Sequence, residues 1–297
     1  MKKQKKFLKS SNKYSLLILL IFLGMTPGLV YSQKFLKHSE IGFWLGGAHY
    51  MGDLNEDFRF FRVVRPAAGF LYQHNPHERW CWRSTLSAGR VYANDKFSPK
   101  SAYRSRNLHF RSDLIELSTQ VVFNFLPYEI GKIQEGYIFP FSPYMFFGLG
   151  LFYANPQAEF QGNWVYLKKY DTEGQGTSSY GRKEYSIIQM SVPFGFGVKA
   201  GINQKWGIGF EWGFRRTFYD YLDDVSSTYP DKGNLLFERG EDAVALSDPS
   251  ERAAPSTPDF SDDRFRGNPE TRDWFSFFGV TLTRKIENKK ARCPSTY

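Results

Sequence analysis

From Ile115 the odd positions read Ile115, Leu117, Thr119, Val121, Phe123 and Phe125, while the even ones read Glu116, Ser118, Gln120, Val122 and Asn124. A period of two held over this length gives an extended strand one oily and one wet face, whereas a helix repeats its apolar positions at three and four. The even positions from Ile188 repeat the pattern with Met190, Val192, Phe194, Phe196, Val198 and Ala200, opposed by Gln189, Ser191, Gly195, Gly197 and Lys199. The next stretch sets Trp206, Ile208, Phe210, Trp212 and Phe214 against Gly207, Gly209, Glu211, Gly213 and Arg215. Weaker copies cover 40–50, 63–73, 79–92, 143–154 and 273–286, for a total of about eight strands. Each is longer than the ordinary globular strand of about 5–6 residues and suits the ~9–11 residues that cross a bilayer at a tilt.

Composition separates this pattern from a soluble sandwich. Aromatic residues make up 18% of the chain and glycines number 26, the mixture of lipid-facing strands. No stretch beyond residue 33 approaches the ~20 apolar residues of a membrane helix. Residues 1–32 read as a secretory signal peptide: six lysines with no acid, then Leu16 to Leu23, an uncharged apolar run. Those six lysines are part of the net charge of +9, so the remainder carries about +3, which does not call for a nucleic-acid partner. Cys81 and Cys293 read as two isolated thiols rather than a disulfide scaffold.

The expected fold is therefore all-β: an antiparallel up-and-down transmembrane β-barrel of about eight strands spanning 33–286, with a periplasmic tail at 287–297. Long connections at 51–62, 93–110, 155–184 and 220–272 should lie outside the cell, and tight ones at 74–78 and 202–205 in the periplasm, the usual asymmetry of such barrels. The exception is 127–142, long and apolar for a periplasmic turn. The last outer connection is rich in Asp, Ser, Pro and Gly, so it is expected to have no core of its own and to be mobile unless a partner orders it.

An eight-stranded barrel is filled by its own side chains and should not conduct solutes. Inward positions include Arg65, Arg83, Glu116, Gln120, Lys199, Glu211 and Arg215, with glycines making room, and their opposite charges should pair into a structural network. No GxSxG, HExxH or paired-histidine metal spacing accompanies the five histidines. The combination of His109 and Asp113 with Ser112 or Ser118 is the one catalytic arrangement to weigh, and it is too common to mark an enzyme. No catalytic residue, metal site or cofactor is expected. Trp80, Trp82, Trp206 and Trp274 begin strands, where interfacial aromatic belts sit.

Several segments resemble a known family. Gly46-Gly47-Ala48-His49-Tyr50-Met51-Gly52-Asp53-Leu54-Asn55, the run Asn107 to Glu116, and Arg266-Gly267-Asn268-Pro269 followed by Asp273-Trp274 look like the PorG-type outer-membrane proteins of the type IX secretion system of Bacteroidota. The resemblance implies a non-enzymatic structural anchor in the cell outer membrane. Its partners would be membrane lipid, the periplasmic ring lipoprotein with its partner protein, and the outer-membrane translocon as a further contact. A periplasmic partner needs periplasmic surface, so Ile130, Ile133, Tyr137, Ile138 and Phe139 are the expected ring contacts; the alternative is that the segment packs under the barrel floor as a plug. The alternative is an independent surface barrel that uses its outer loops for adhesion or ligand capture.

Overall fold

The computed structural model describes residues 37–55, 60–132, 140–250 and 265–286. The signal peptide expected at 1–32, the tail at 287–297 and Cys293 lie outside them.

Ten strands follow in chain order: β1 (His38–Met51), β2 (Arg65–Asn75), β3 (Trp80–Asn94), β4 (His109–Asn124), β5 (Phe141–Ala154), β6 (Gln157–Phe160), β7 (Asn163–Tyr166), β8 (Ile188–Gly201), β9 (Trp206–Thr217) and β10 (Trp274–Ile286). Eight of them form a ring in the order β3-β2-β1-β10-β9-β8-β5-β4, which closes because β4 also pairs with β3. Every neighbouring pair is antiparallel, including β1 with β10, which joins the two ends of the barrel sequence. Closure removes sheet edges, so the backbone groups of the wall are paired without water, the condition for a strand structure in lipid. The short β6–β7 hairpin stands on the long-loop end and touches the wall through Arg111 opposite Gln157.

The alternation read in the sequence sets the two faces of the wall. Leu117 is 60% exposed and Ile115 is 52% exposed, while Glu116 between them is fully buried. From Ile115 to Phe125, ten steps of roughly 3.3 Å on a strand tilted by about 40° rise about 25 Å, the height of the apolar band of such barrels. Trp80, Trp82 and Trp206 are exposed at the short-turn ends of their strands, where the belt was expected. Two inward glycines are required by close approach: a Cβ on Gly148 would lie 2.1 Å from the Thr119 carbonyl oxygen, and one on Gly195 would lie 2.3 Å from that of Trp212.

The outer connections differ from expectation. The described part of 220–272 folds into two short helices, α1 (Lys232–Arg239) and α2 (Glu241–Ser247), and buries Leu222, Val225, Tyr229, Leu235 and Leu246. Its core is pooled: Leu222 and Val225 pack in one cluster with Leu54, Leu108, Phe110, Tyr185 and Phe275, contributed by other loops and strand ends. Leu246 joins Ala158, Phe160 and Leu167 in a second cluster. A loop too polar to bury itself is thus ordered by its neighbours in the same chain.

Candidate functional site

The lumen is stacked in tiers. Nearest the long-loop end, Arg215 Nε donates to Glu116 Oε1 at 3.2 Å, Ser191 Oγ donates to the other carboxylate oxygen at 3.1 Å, and the guanidinium lies over the Phe277 ring at 4.7 Å. In the middle, Arg83 donates to Glu211 at 2.5 Å and to Gln120 at 2.9 Å, and the Tyr144 hydroxyl donates to the same Glu211 oxygen at 2.7 Å. Towards the short turns, Glu40 meets His38 at 3.1 Å and accepts from Asn75 at 2.9 Å. Four of the five expected network residues, Arg83, Glu116, Glu211 and Arg215, therefore form two cross-barrel ion pairs. Lys199 does not: its Nζ has no hydrogen-bond partner among the described residues and lies over the rings of Tyr128 at 4.6 Å and Tyr144 at 5.2 Å. Arg65 also departs from its expected inward position, because its guanidinium stacks on Tyr92 at 4.1 Å, on the face opposite the buried Val91 and Ala93.

The described part of the β4–β5 connection packs into the short-turn end. In the β4–β5 connection Tyr128 and Ile130 are buried, Lys285 Nζ donates to Glu129 Oε1 at 2.9 Å and to the Ile130 carbonyl at 3.2 Å, and Tyr128 N donates to the Glu78 carbonyl at 3.2 Å. Gly131 has φ +86, and a Cβ there would lie 2.8 Å from the Gln204 carbonyl, so the turn requires glycine on both counts. Ile130, expected to meet a partner, is 1% exposed and belongs to this floor. Ile133, Tyr137, Ile138 and Phe139 lie outside the described residues. Cys81 is a buried free thiol.

At the opposite end the segments that carried the family resemblance converge. Tyr50 Oη lies 2.5 Å from Asp223 Oδ2 and 2.9 Å from Asp273 Oδ1. One hydroxyl has one proton to donate, so the second contact needs a protonated carboxyl. Burial raises both aspartates well above the usual carboxylate range, and nearby negative charge, including Asp53, raises them further. Asp53 Oδ2 accepts from Asn268 N at 2.8 Å, and Arg106 binds Asp95 at 2.8 Å and the Arg266 carbonyl at 2.6 Å. Arg266, fully enclosed, binds Glu173 at 3.2 Å and also the Asp224 carbonyl. Burial lifts Asp224 to about 6 against the pull of Arg266, and lifts Asp220 to about 7 against its bond from Ser226. Asp220, Asp223, Asp224 and Glu173 were missed in the sequence, since single acids in a polar loop carry no periodic signal.

No catalytic arrangement forms around His109. Its Nε2 accepts from Glu159 N at 2.9 Å, and Asp113 is held by Arg90 through bonds of 2.5 and 3.0 Å. Among the described residues no group of three His, Cys, Asp or Glu side chains is placed to hold a metal ion.

A closed antiparallel ring of eight strands, apolar outside and charged within, defines the outer-membrane class of β-barrel. Within that class the chain belongs to the family described as "Domain of unknown function (DUF6089)", which it matches over residues 15–241. No curated protein matches it. Among solved structures it is similar to Ail, the attachment invasion locus protein of Yersinia pestis, solved with the heparin analogue sucrose octasulfate, at 9% identity, 85% of this chain, 100% of that one and a TM-score of 0.38. Neisserial surface protein A gives 8% identity, 84% and 97% coverage and a TM-score of 0.39. OprG of Pseudomonas aeruginosa gives 9%, 85%, 98% and 0.37.

Proposed function

We propose that the protein is a structural component of the type IX secretion machinery, held in the cell outer membrane and tethering the periplasmic ring complex, and that it is not an enzyme. The observation that carries this reading is the lumen filled by its own paired side chains. Two buried ion pairs cross it and Lys285 ties Glu129 of the β4–β5 connection to its short-turn end, which supports a barrel that serves as a fixed body in lipid rather than a pore. The motif residues through Tyr50, Asp53, Asn268 and Asp273, which resemble those of PorG-type proteins, support the specific machine.

With Ile130 in the floor, the ring contact falls on residues 133–139, whose sequence IQEGYIF is apolar for a periplasmic connection. The test is co-purification of the ring proteins with the protein extracted from its native membrane. Ile133→Asp combined with Tyr137→Asp should release the ring while the barrel stays heat-modifiable; unchanged recovery rejects the tether.

A second reading, adhesion through the outer loops, is favoured by Phe237 at 91% and Phe265 at 73% exposure on the cap. Replacing both by Ser should abolish cell-surface binding if that reading holds, and leave cargo export untouched.

A further inference from the structure

Above the apolar band on the long-loop side, three neighbouring strands turn arginines outward into one groove of about 500 Å³. The register sets Arg90 opposite Asp113 and Tyr92 opposite Arg111. Arg65 stacks on Tyr92 at 4.1 Å and Arg111 on Trp164 at 4.0 Å. Arg90 is taken by Asp113 through two bonds. Arg65 and Arg111 make no ion pair among the described residues: Arg65 Nη1 donates to the Val64 carbonyl at 2.9 Å, and Arg111 Nε donates to Gln157 at 2.8 Å. Among the described residues three guanidiniums therefore face one carboxylate. The two stacked on rings keep N–H edges free, the geometry that grips phosphate oxygens in a plane.

The height of the groove identifies its occupant. Along β3 and β4 the next outward pair below Arg90 and Asp113 is Ala88 opposite Ile115, followed by Leu86 opposite Leu117. The apolar wall thus begins two residues below Arg90 and four below Arg111, roughly 7 and 13 Å along the strand. A soluble polyanion uses only the cations. A ligand that uses both has phosphate at the level of Arg65 and Arg111 and acyl chains against Ile115 and Leu117. We propose that this groove is a docking site for the phosphate groups of an acidic glycolipid of the surrounding outer leaflet. The site is independent of the secretion role.

The test is native mass spectrometry of the full-length protein extracted in detergent and offered bisphosphorylated lipid A, its dephosphorylated form, or a zwitterionic phospholipid. The wild type should retain the bisphosphorylated lipid roughly tenfold or more over the other two, and added salt should weaken retention. Arg65→Gln with Arg111→Gln should lose that preference, whereas Arg216→Gln with Arg272→Gln, at the rim across the barrel, should keep it. Heat-modifiability reports folding; if the double variant does not fold, Trp164→Leu, which removes the platform beneath Arg111, takes its place with a smaller loss. Equal retention of the dephosphorylated lipid, or unchanged retention by the groove variants, overturns the proposal. So does capture of inositol hexakisphosphate that lipid A fails to displace, which would mark a site for soluble polyanions.

Discussion

The barrel wall and the cap above it bury charge in opposite ways. In the upper and middle lumen each guanidinium meets one carboxylate, Arg215 with Glu116 and Arg83 with Glu211. Among the described residues of the cap, the buried acids outnumber the cations that pair with them. Glu173, Asp220, Asp223, Asp224 and Asp273 are all buried, while Arg266 serves Glu173 and Asp224, and Arg106 is taken by Asp95. The wall balances charge with charge; the cap balances it with protons and backbone donors. The wall should therefore depend on complete pairs, and the cap on pH as well.

Removing one member of a buried pair should have the largest effect on either region. Arg83→Met leaves Glu211 without its cation inside the wall and should cost about 3–5 kcal/mol of barrel stability in urea titrations, with much of the loss recovered in the Arg83→Met, Glu211→Met double variant. Arg266→Met should cost the cap a similar ~3–5 kcal/mol. Hydrogen exchange should then accelerate across 220–250 while the strand amides stay protected, which separates the two regions in one experiment. Next in size is a charge on the lipid face. Leu149 is opposite Thr119 near mid-height of the band, and Leu149→Arg should destabilise the barrel by about 2–4 kcal/mol without touching the cap.

The pH prediction follows from the cap acids. In the folded cap Asp220 titrates at about 7 and Asp224 at about 6, whereas an unfolded aspartate titrates near ~3.9. Between roughly pH 4 and 7 the folded cap holds protons that the unfolded chain has released, so its stability is greatest below that window and falls as pH rises through it. Protection factors in 220–250, corrected for the intrinsic exchange rate at each pH, should be higher at pH 5 than at pH 8, and Asp220→Asn should flatten that difference; an unaltered profile would place the titration elsewhere. The smallest effect belongs to Arg90→Gln. The Arg90–Asp113 pair is roughly half exposed, and its loss should change stability by no more than about 1 kcal/mol.

The same contrast explains what the sequence could reveal. All eight wall strands were legible, with 188–201 matching β8 at both ends, because lipid on one side and lumen on the other impose a period of two on every strand. Glu116 and Arg215 were legible as inward charges for the same reason. Lys199 was legible as inward but its partner was not, since nothing in a strand pattern reveals that Tyr128 arrives from a connection to lie beneath it. The cap was hidden because no single loop contains its core: Leu54, Leu108 and Leu222 meet only after the wall has brought three strand ends together. Ile130 stayed open between two readings because an apolar residue in a turn reads the same whether it meets a partner or the floor of its own barrel.

The central claim is a two-faced wall in lipid, and spin labels placed singly at 115 to 125 in a reconstituted membrane test it most directly, with Cys81 and Cys293 first replaced by serine. Collisional relaxation by membrane-dissolved oxygen should be strong at odd positions and weak at even ones throughout β4. Contact with oxygen at every third or fourth position, or at none, would contradict the barrel and the roles assigned to it.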